Sequence, residues 1–197
     1  MYHDLVFECA ERVFAEQGVN DSSMQDVASE AGISLKTLYN AFPGKNELYR
    51  EILAVRGAGL VEAIHSSVAA QGSAFDRLTV GIRQIVGYLL EHRPFFRILL
   101  QEGKAWGLDP RGKTAREAWR AGRNAMGSVL QDGMDSGELL EGDAELLAAT
   151  VNAVLQVQLA GLLEQVEEPD ADDLSQRILV PIRHMLCRSV PPERAVA

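Results

Sequence analysis

The residues from Ser22 to Lys45 constrain this chain more than any others: Ser-Ser-Met-Gln-Asp-Val-Ala-Ser-Glu-Ala-Gly-Ile-Ser-Leu-Lys-Thr-Leu-Tyr-Asn-Ala-Phe-Pro-Gly-Lys. Ser22 or Ser23 can cap a helix start by accepting one of the orphan N–H groups of the first turn. Asp26 stands three residues after Ser23, the spacing of a capping box with Asp in the usual place of Glu or Gln. Val27, Ala28 and Ala31 give an apolar face, and Gly32 suits the left-handed position just past a helix end. A second helix starts at Ser34, turns Leu38 and Phe42 inward, and stops at Pro43-Gly44. Two short helices joined by a tight Gly-containing turn make a helix-turn-helix, whose second helix enters the DNA major groove. A structural helical hairpin with a solvated polar face has the same spacing.

The second helix carries the chemistry of a reader. No acidic residue falls between Ala31 and Asn46, while Lys36 and Lys45 are present. The outward positions Leu35, Lys36, Thr37, Tyr39 and Asn40 mix donors, acceptors and one apolar group, as base edges and phosphates require.

Over a longer span, Tyr2 to Leu53, the chain resembles the DNA-binding domain of the TetR family of transcriptional regulators. The resemblance rests on Ala10-x-x-x-Phe14-x-x-x-Gly18, Ser23-Met24-Gln25-Asp26-Val27-Ala28, Ala31-Gly32-Ile33-Ser34, Thr37-Leu38-Tyr39-x-x-Phe42 and Lys45-x-x-Leu48. It implies a helix-turn-helix domain at residues 1–46 and an effector-binding and dimerisation domain at 47–197. It also implies a homodimeric, ligand-responsive repressor of a palindromic or pseudo-palindromic operator in double-stranded DNA. An activator or a co-repressor-dependent regulator is the alternative on the same fold. Ser22, Ser23, Gln25, Ser34, Tyr39 and Lys45 are then expected to meet phosphates. Leu35, Lys36, Thr37 and Asn40 should face bases, Leu35 against a thymine methyl and Lys36 at a guanine edge. Family members often have a basic extension ahead of the first helix, and this chain shows none. Many have a different pair at Leu35-Lys36, so no operator sequence carries over.

A net charge of −9 argues at first against a nucleic-acid partner. Position matters more than sum. Residues 1–50 hold Arg12, Lys36, Lys45 and Arg50 against eight acids, but those acids avoid the reading stretch. A focused positive edge on a negative body predicts an affinity that falls quickly with salt.

The remaining chain reads as helices only, so the expected class is all-α, with about nine helices. Tyr2 to Gln17 has an apolar side through Leu5, Cys9, Arg12 or Val13, and Gln17, with Val6, Ala10 and Phe14 beside it; Gly18 ends it. Cys9 lies in that stripe as a small hydrophobe. Gly44 to about Ser67 repeats Leu48, Ile52, Val55, Leu60 and Ile64, softened by Gly57 and Gly59. Phe75 to Leu90 forms another amphipathic helix, and Pro94 opens a short one in the favoured first-turn position. Ala115 to about Gly137 follows a loop carrying Trp106. Leu146 to Leu163 holds 18 uncharged residues, the nominal length of a membrane span. Thr150, Asn152, Gln156 and Gln158 interrupt it and no Lys or Arg anchors its ends, so no membrane partner is expected. A helix apolar all round is instead buried all round. With the last helix, which contains Pro181, it matches the family's dimerisation pair, here residues 143–164 and 172–188, giving a homodimer.

The family's effector enters the helical domain. Tyr88, Phe95, Phe96, Trp106, Trp119, Met126, Asn152 and Gln156 are candidates to line a site for an unknown small, largely apolar molecule with one or two polar handles. Plain core packing is the competing reading of each aromatic. No cofactor or metal is expected: His184 and Cys187 share a helix face, but two ligands without a second pair are too few. No phosphate loop, nucleophile elbow or paired His-Glu motif occurs. The chain is therefore not read as an enzyme, and a catalytic or protein-interaction helical bundle is the distant alternative. Two widely separated cysteines and the lack of a signal peptide fit the cytoplasm.

Overall fold

The computed structural model describes the main chain of residues 2–101, 113–161 and 170–187, and the side chains of 3–65, 70–101, 123–161 and 170–187. Nine helices run through the described residues: α1 (Tyr2–Gln17), α2 (Met24–Glu30), α3 (Leu35–Ala41), α4 (Lys45–Ala69), α5 (Ala74–Glu91), α6 (Arg93–Gln101), α7 (Lys113–Asp135), α8 (Ala144–Ala160) and α9 (Ala171–Leu186). The only extended pairing among them is an isolated bridge between Leu139 and Cys187. The expected all-α class holds, and each predicted helix appears within a few residues of its predicted ends. No helix among the described residues is long and apolar enough to cross a membrane.

The chain divides into two compact units. The first comprises Met1–Ala63 and Gly87–Ala121, the second Ile64–Val86 and Gly122–Ala197. The expected boundary at residue 46 falls inside the first unit, for a packing reason. The core around Phe14, Val27, Leu38 and Ile52 also takes in Phe95 and Ile98 of α6. Gln101 Nε2 further donates to the Ala15 carbonyl of α1 at 2.9 Å. The reading helices and α6 thus share one apolar core.

In the second unit Glu138 ties distant parts of the chain together. Its carboxylate accepts the free N–H groups of Ala74 (2.7 Å) and Phe75 (2.9 Å), capping α5 from more than 60 residues away in sequence. Gly133 permits that approach, since a Cβ there would lie 2.6 Å from the Ala74 side chain. Asp143 caps α8 and Asp170 caps α9, each through two main-chain N–H groups. Helix α9 runs on through Pro181 to Leu186. On α8, Ala148, Val151, Leu155 and Leu159 are buried at helical spacing. The opposite side is bare, with Leu146 64% and Val157 72% exposed.

Candidate nucleic-acid interface

The site is built from two capped helix starts. Ser23 caps α2: its Oγ accepts the Asp26 N–H (3.2 Å), while Asp26 Oδ2 accepts the Ser23 N–H (2.8 Å) and hydroxyl (2.6 Å). The capping box predicted from spacing therefore closes in both directions, with Ser23 as the cap. Those bonds, the Ser23 hydroxyl first and its N–H second, hold the Asp26 carboxyl below the usual carboxylate range. A carboxylate whose pKa falls on folding stabilises the fold above its ordinary pKa, and that contribution disappears as the pH drops through the lowered value. Asp26→Asn is accordingly expected to lower Tm at neutral pH and to match the wild type in strong acid. Thermal melts of both proteins from pH 7 to pH 2 check this; a constant difference across that range would contradict it.

Gly32, at φ +64°, turns the chain directly after α2. Ser34 then caps α3 by accepting the Thr37 N–H at 3.0 Å, and the two hydroxyls lie 2.6 Å apart. Leu38 is fully buried, which fixes the rotation of α3 about its axis. Lys36, Thr37, Tyr39 and Asn40 are consequently exposed, and so is Gln25 on α2. Tyr39 leaves 48% of its surface free.

Three predicted contacts sit differently from expectation. Leu35 is half-buried and packs against the core of the first unit, so only part of its side chain remains for a thymine methyl. Ser22 is 4% exposed and its hydroxyl donates to the Val19 carbonyl at 3.2 Å. It braces the α1–α2 loop and does not present that hydroxyl to a phosphate. Lys45, the first residue of α4, donates through Nζ to the carbonyls of Asn20 (2.9 Å) and Ser22 (2.6 Å). An ammonium has three donors, so one is left for a phosphate.

Among the four bases of residues 2–53, Arg12 pairs with Glu30 at 3.0 Å and Arg50 pairs with Glu47. Lys36 has no carboxylate partner among the described residues, which leaves it as the outward charge of α3. Lys36→Ala is expected to relax base preference at unchanged Tm. Lys45→Ala should weaken binding to all sequences alike. It should also lower Tm by about 2–6 °C, because the loop loses two charge-assisted hydrogen bonds. Selection from a randomised duplex library, combined with melting curves, distinguishes the two; equal effects of both variants on sequence preference would overturn the division.

The candidates for an effector site are distributed over both units. In the first, Phe95 and Phe96 are 2% and 3% exposed, and Phe95 belongs to the core. The Tyr88 hydroxyl donates to the Arg56 carbonyl at 2.8 Å. In the second, Met126 is buried, and Asn152 and Gln156 are half-buried one turn apart on α8. Trp106 and the side chain of Trp119 lie outside the described residues. Sequence reasoning missed Glu11 and Arg56, a buried ion pair between α1 and α4. No local pattern marks a pair so far apart.

A three-helix head with an outward-facing, acid-free second reading helix, followed by helices throughout the described residues, defines a helix-turn-helix DNA-binding regulator. The family model for bacterial regulatory proteins of the tetR family matches residues 6–52. The chain is 23% identical over 137 residues to the fatty acid metabolism regulator protein of Bacillus subtilis (strain 168), covering 70% of each. Among solved structures, the TetR family transcriptional regulator PfmR from Thermus thermophilus aligns with a TM-score of 0.75 and 25% identity, over 93% of this chain and 96% of that one. FadR from Bacillus subtilis, solved in complex with stearoyl-CoA, aligns with a TM-score of 0.70 and 19% identity, over 91% and 96%. Through residues 6–52 the chain belongs to the TetR family of transcriptional regulators.

Proposed function

We propose that this protein is a homodimeric repressor that holds a two-fold operator and leaves it when a long-chain acyl-CoA binds. The observation that carries the DNA half is α3, capped at Ser34, locked in rotation by buried Leu38, and offering Lys36, Thr37, Tyr39 and Asn40 to solvent. Residues 1–46 do the reading, and residues 47–197 bind the effector and the second copy. Base contacts come from Lys36, Thr37 and Asn40; phosphate contacts come from Gln25, Tyr39, Ser34 and the third donor of Lys45.

The dimer reading is supported by an apolar stripe along α8 and α9. Leu146, Ala149, Ala153 and Val157 recur every three to four residues on the exposed side of α8. Val180 and Met185 are 51% and 39% exposed on α9. A monomer rarely leaves two neighbouring helices bare in this way. The effector class is supported by two relatives, one named for fatty acid metabolism and one solved with stearoyl-CoA. Half-buried Asn152 and Gln156 offer polar handles beside apolar surroundings, which suits a thioester or headgroup next to an alkyl chain.

The test uses the full-length protein and a duplex it selects from a randomised library. Fluorescence anisotropy should show tight binding that weakens steeply with salt, and micromolar stearoyl-CoA should release the duplex. Tightening by stearoyl-CoA would make it a co-repressor. Indifference to acyl-CoAs of every chain length would remove the effector class and leave the DNA reading standing.

A further inference from the structure

Helix α1 carries a carboxylate that is shut away from solvent. Glu11 is 3% exposed, and both of its oxygens meet one guanidinium: Arg56 Nε at 2.6 Å and Nη2 at 3.3 Å. Arg56 belongs to α4, and its side chain is only 18% exposed. Burial alone would lower the Arg56 pKa, but the bonds to Glu11 outweigh it and keep the group charged.

The same residue is held from a third helix. The main-chain carbonyl of Arg56 accepts the Tyr88 hydroxyl of α5 at 2.8 Å, in addition to its place in α4. This approach depends on a glycine one turn further on: a Cβ at Gly59 would lie 2.5 Å from the Tyr88 hydroxyl oxygen. His92 packs edge-on against Tyr88, with ring centroids 4.4 Å apart. Burial, and then the charge of Arg56, hold its pKa below the usual histidine value. Beside Glu11, Arg12 continues the chain of contacts to Glu30 of α2.

We propose that Glu11, Arg56 and Tyr88 form a strut fixing the register of α1 against α4 and α5, and that Tyr88 is thereby a positioning residue for operator binding. The proposal rests on the DNA-binding reading above. Apolar packing between helices resists separation but tolerates small slides. A forked ion pair backed by a directed hydrogen bond does not, and fixing register is the best-attested role of buried charge. Operator binding needs two heads held at one spacing, so slack in each head adds an ordering cost twice. A threefold loss per head gives about a tenfold loss for the dimer.

The test is a double-mutant cycle on the full-length dimer with the duplex selected by the wild type. Tyr88→Phe removes the hydroxyl without adding volume; Gly59→Ala displaces the phenol while favouring the helix. Each single variant should raise Kd about tenfold, and the double variant should bind no more weakly than the weaker single, since both break one contact. Base preference should stay as in the wild type, and hydrogen exchange in α1 should quicken. Should Gly59→Ala fail to fold, Tyr88→Phe alone must still give the tenfold loss and the faster α1 exchange. A Kd within twofold of wild type for Tyr88→Phe overturns the strut. Losses that multiply in the double variant overturn it too, as does a loss that merely follows a lower Tm. A wild type that selects no duplex removes the DNA-binding reading itself, and the strut with it.

Discussion

Val157→Asp is expected to convert the dimer to a monomer and raise operator Kd at least 100-fold. Val157 is 72% exposed in the single chain, so the change costs that chain almost nothing in folding. In the proposed dimer the same position lies on the stripe with Leu146, Ala149 and Ala153, at its C-terminal end on the face that the second copy covers. Each buried Val contributes about 1.5–3 kcal/mol to association. Replacing it with a carboxylate removes that contribution from both copies and places two unpaired charges in an apolar contact. A monomer must then engage each half-site independently, losing the effective concentration that linkage supplies, on the order of 10²–10⁴. Sedimentation velocity and anisotropy on one sample measure both effects. A variant that still sediments as a dimer would show that the bare face of α8 is not the interface, however weakly it binds DNA.

The features legible in the sequence are those that a helix writes into its own neighbourhood. Ser23 and Asp26 sit three residues apart because both bonds of the box close within one turn, so the spacing reports the bond. Gly32 and the buried Leu38 are legible for the same reason, and so is the apolar character of α8. Contacts that depend on tertiary placement are not. Lys45 reads as a phosphate ligand because a helix start with a lysine suits an anion, yet its two partners are main-chain carbonyls 25 and 23 residues earlier, which no pattern encodes. Either Ser22 or Ser23 could cap a helix; the spacing to Asp26 favours Ser23, but only the path of the α1–α2 loop turns Ser22 inward onto the Val19 carbonyl. Leu35 counts as outward on a helical wheel but sits close enough to the core to be half covered. Glu11 reads as one more acid on a solvated helix, because its partner lies 45 residues away. The division into units is hidden likewise: α6 joins the reading head through Phe95, Ile98 and Gln101, residues that carry ordinary helical periodicity and nothing more.

Glu11→Leu is expected to destabilise the protein by about 3–5 kcal/mol, because it leaves the Arg56 guanidinium largely buried without its counter-ion. That is a large share of the roughly 5–15 kcal/mol by which domains are folded. Adding Arg56→Met should recover most of it, to within about 2 kcal/mol of wild type, since two apolar side chains of similar volume need no desolvation. Chemical denaturation of the two variants measures both values; a double variant as unstable as the single would mean that the loss comes from packing around position 11 and not from a stranded charge. The operator complex separates the two roles of the pair. Apolar contact between the two substituted side chains holds α1 onto α4 without fixing where it sits, so stability and affinity should part company: the double variant melts near wild type and still binds the selected duplex about tenfold more weakly. Recovery of both together would assign the ion pair to folding alone and overturn its part in fixing the register of α1.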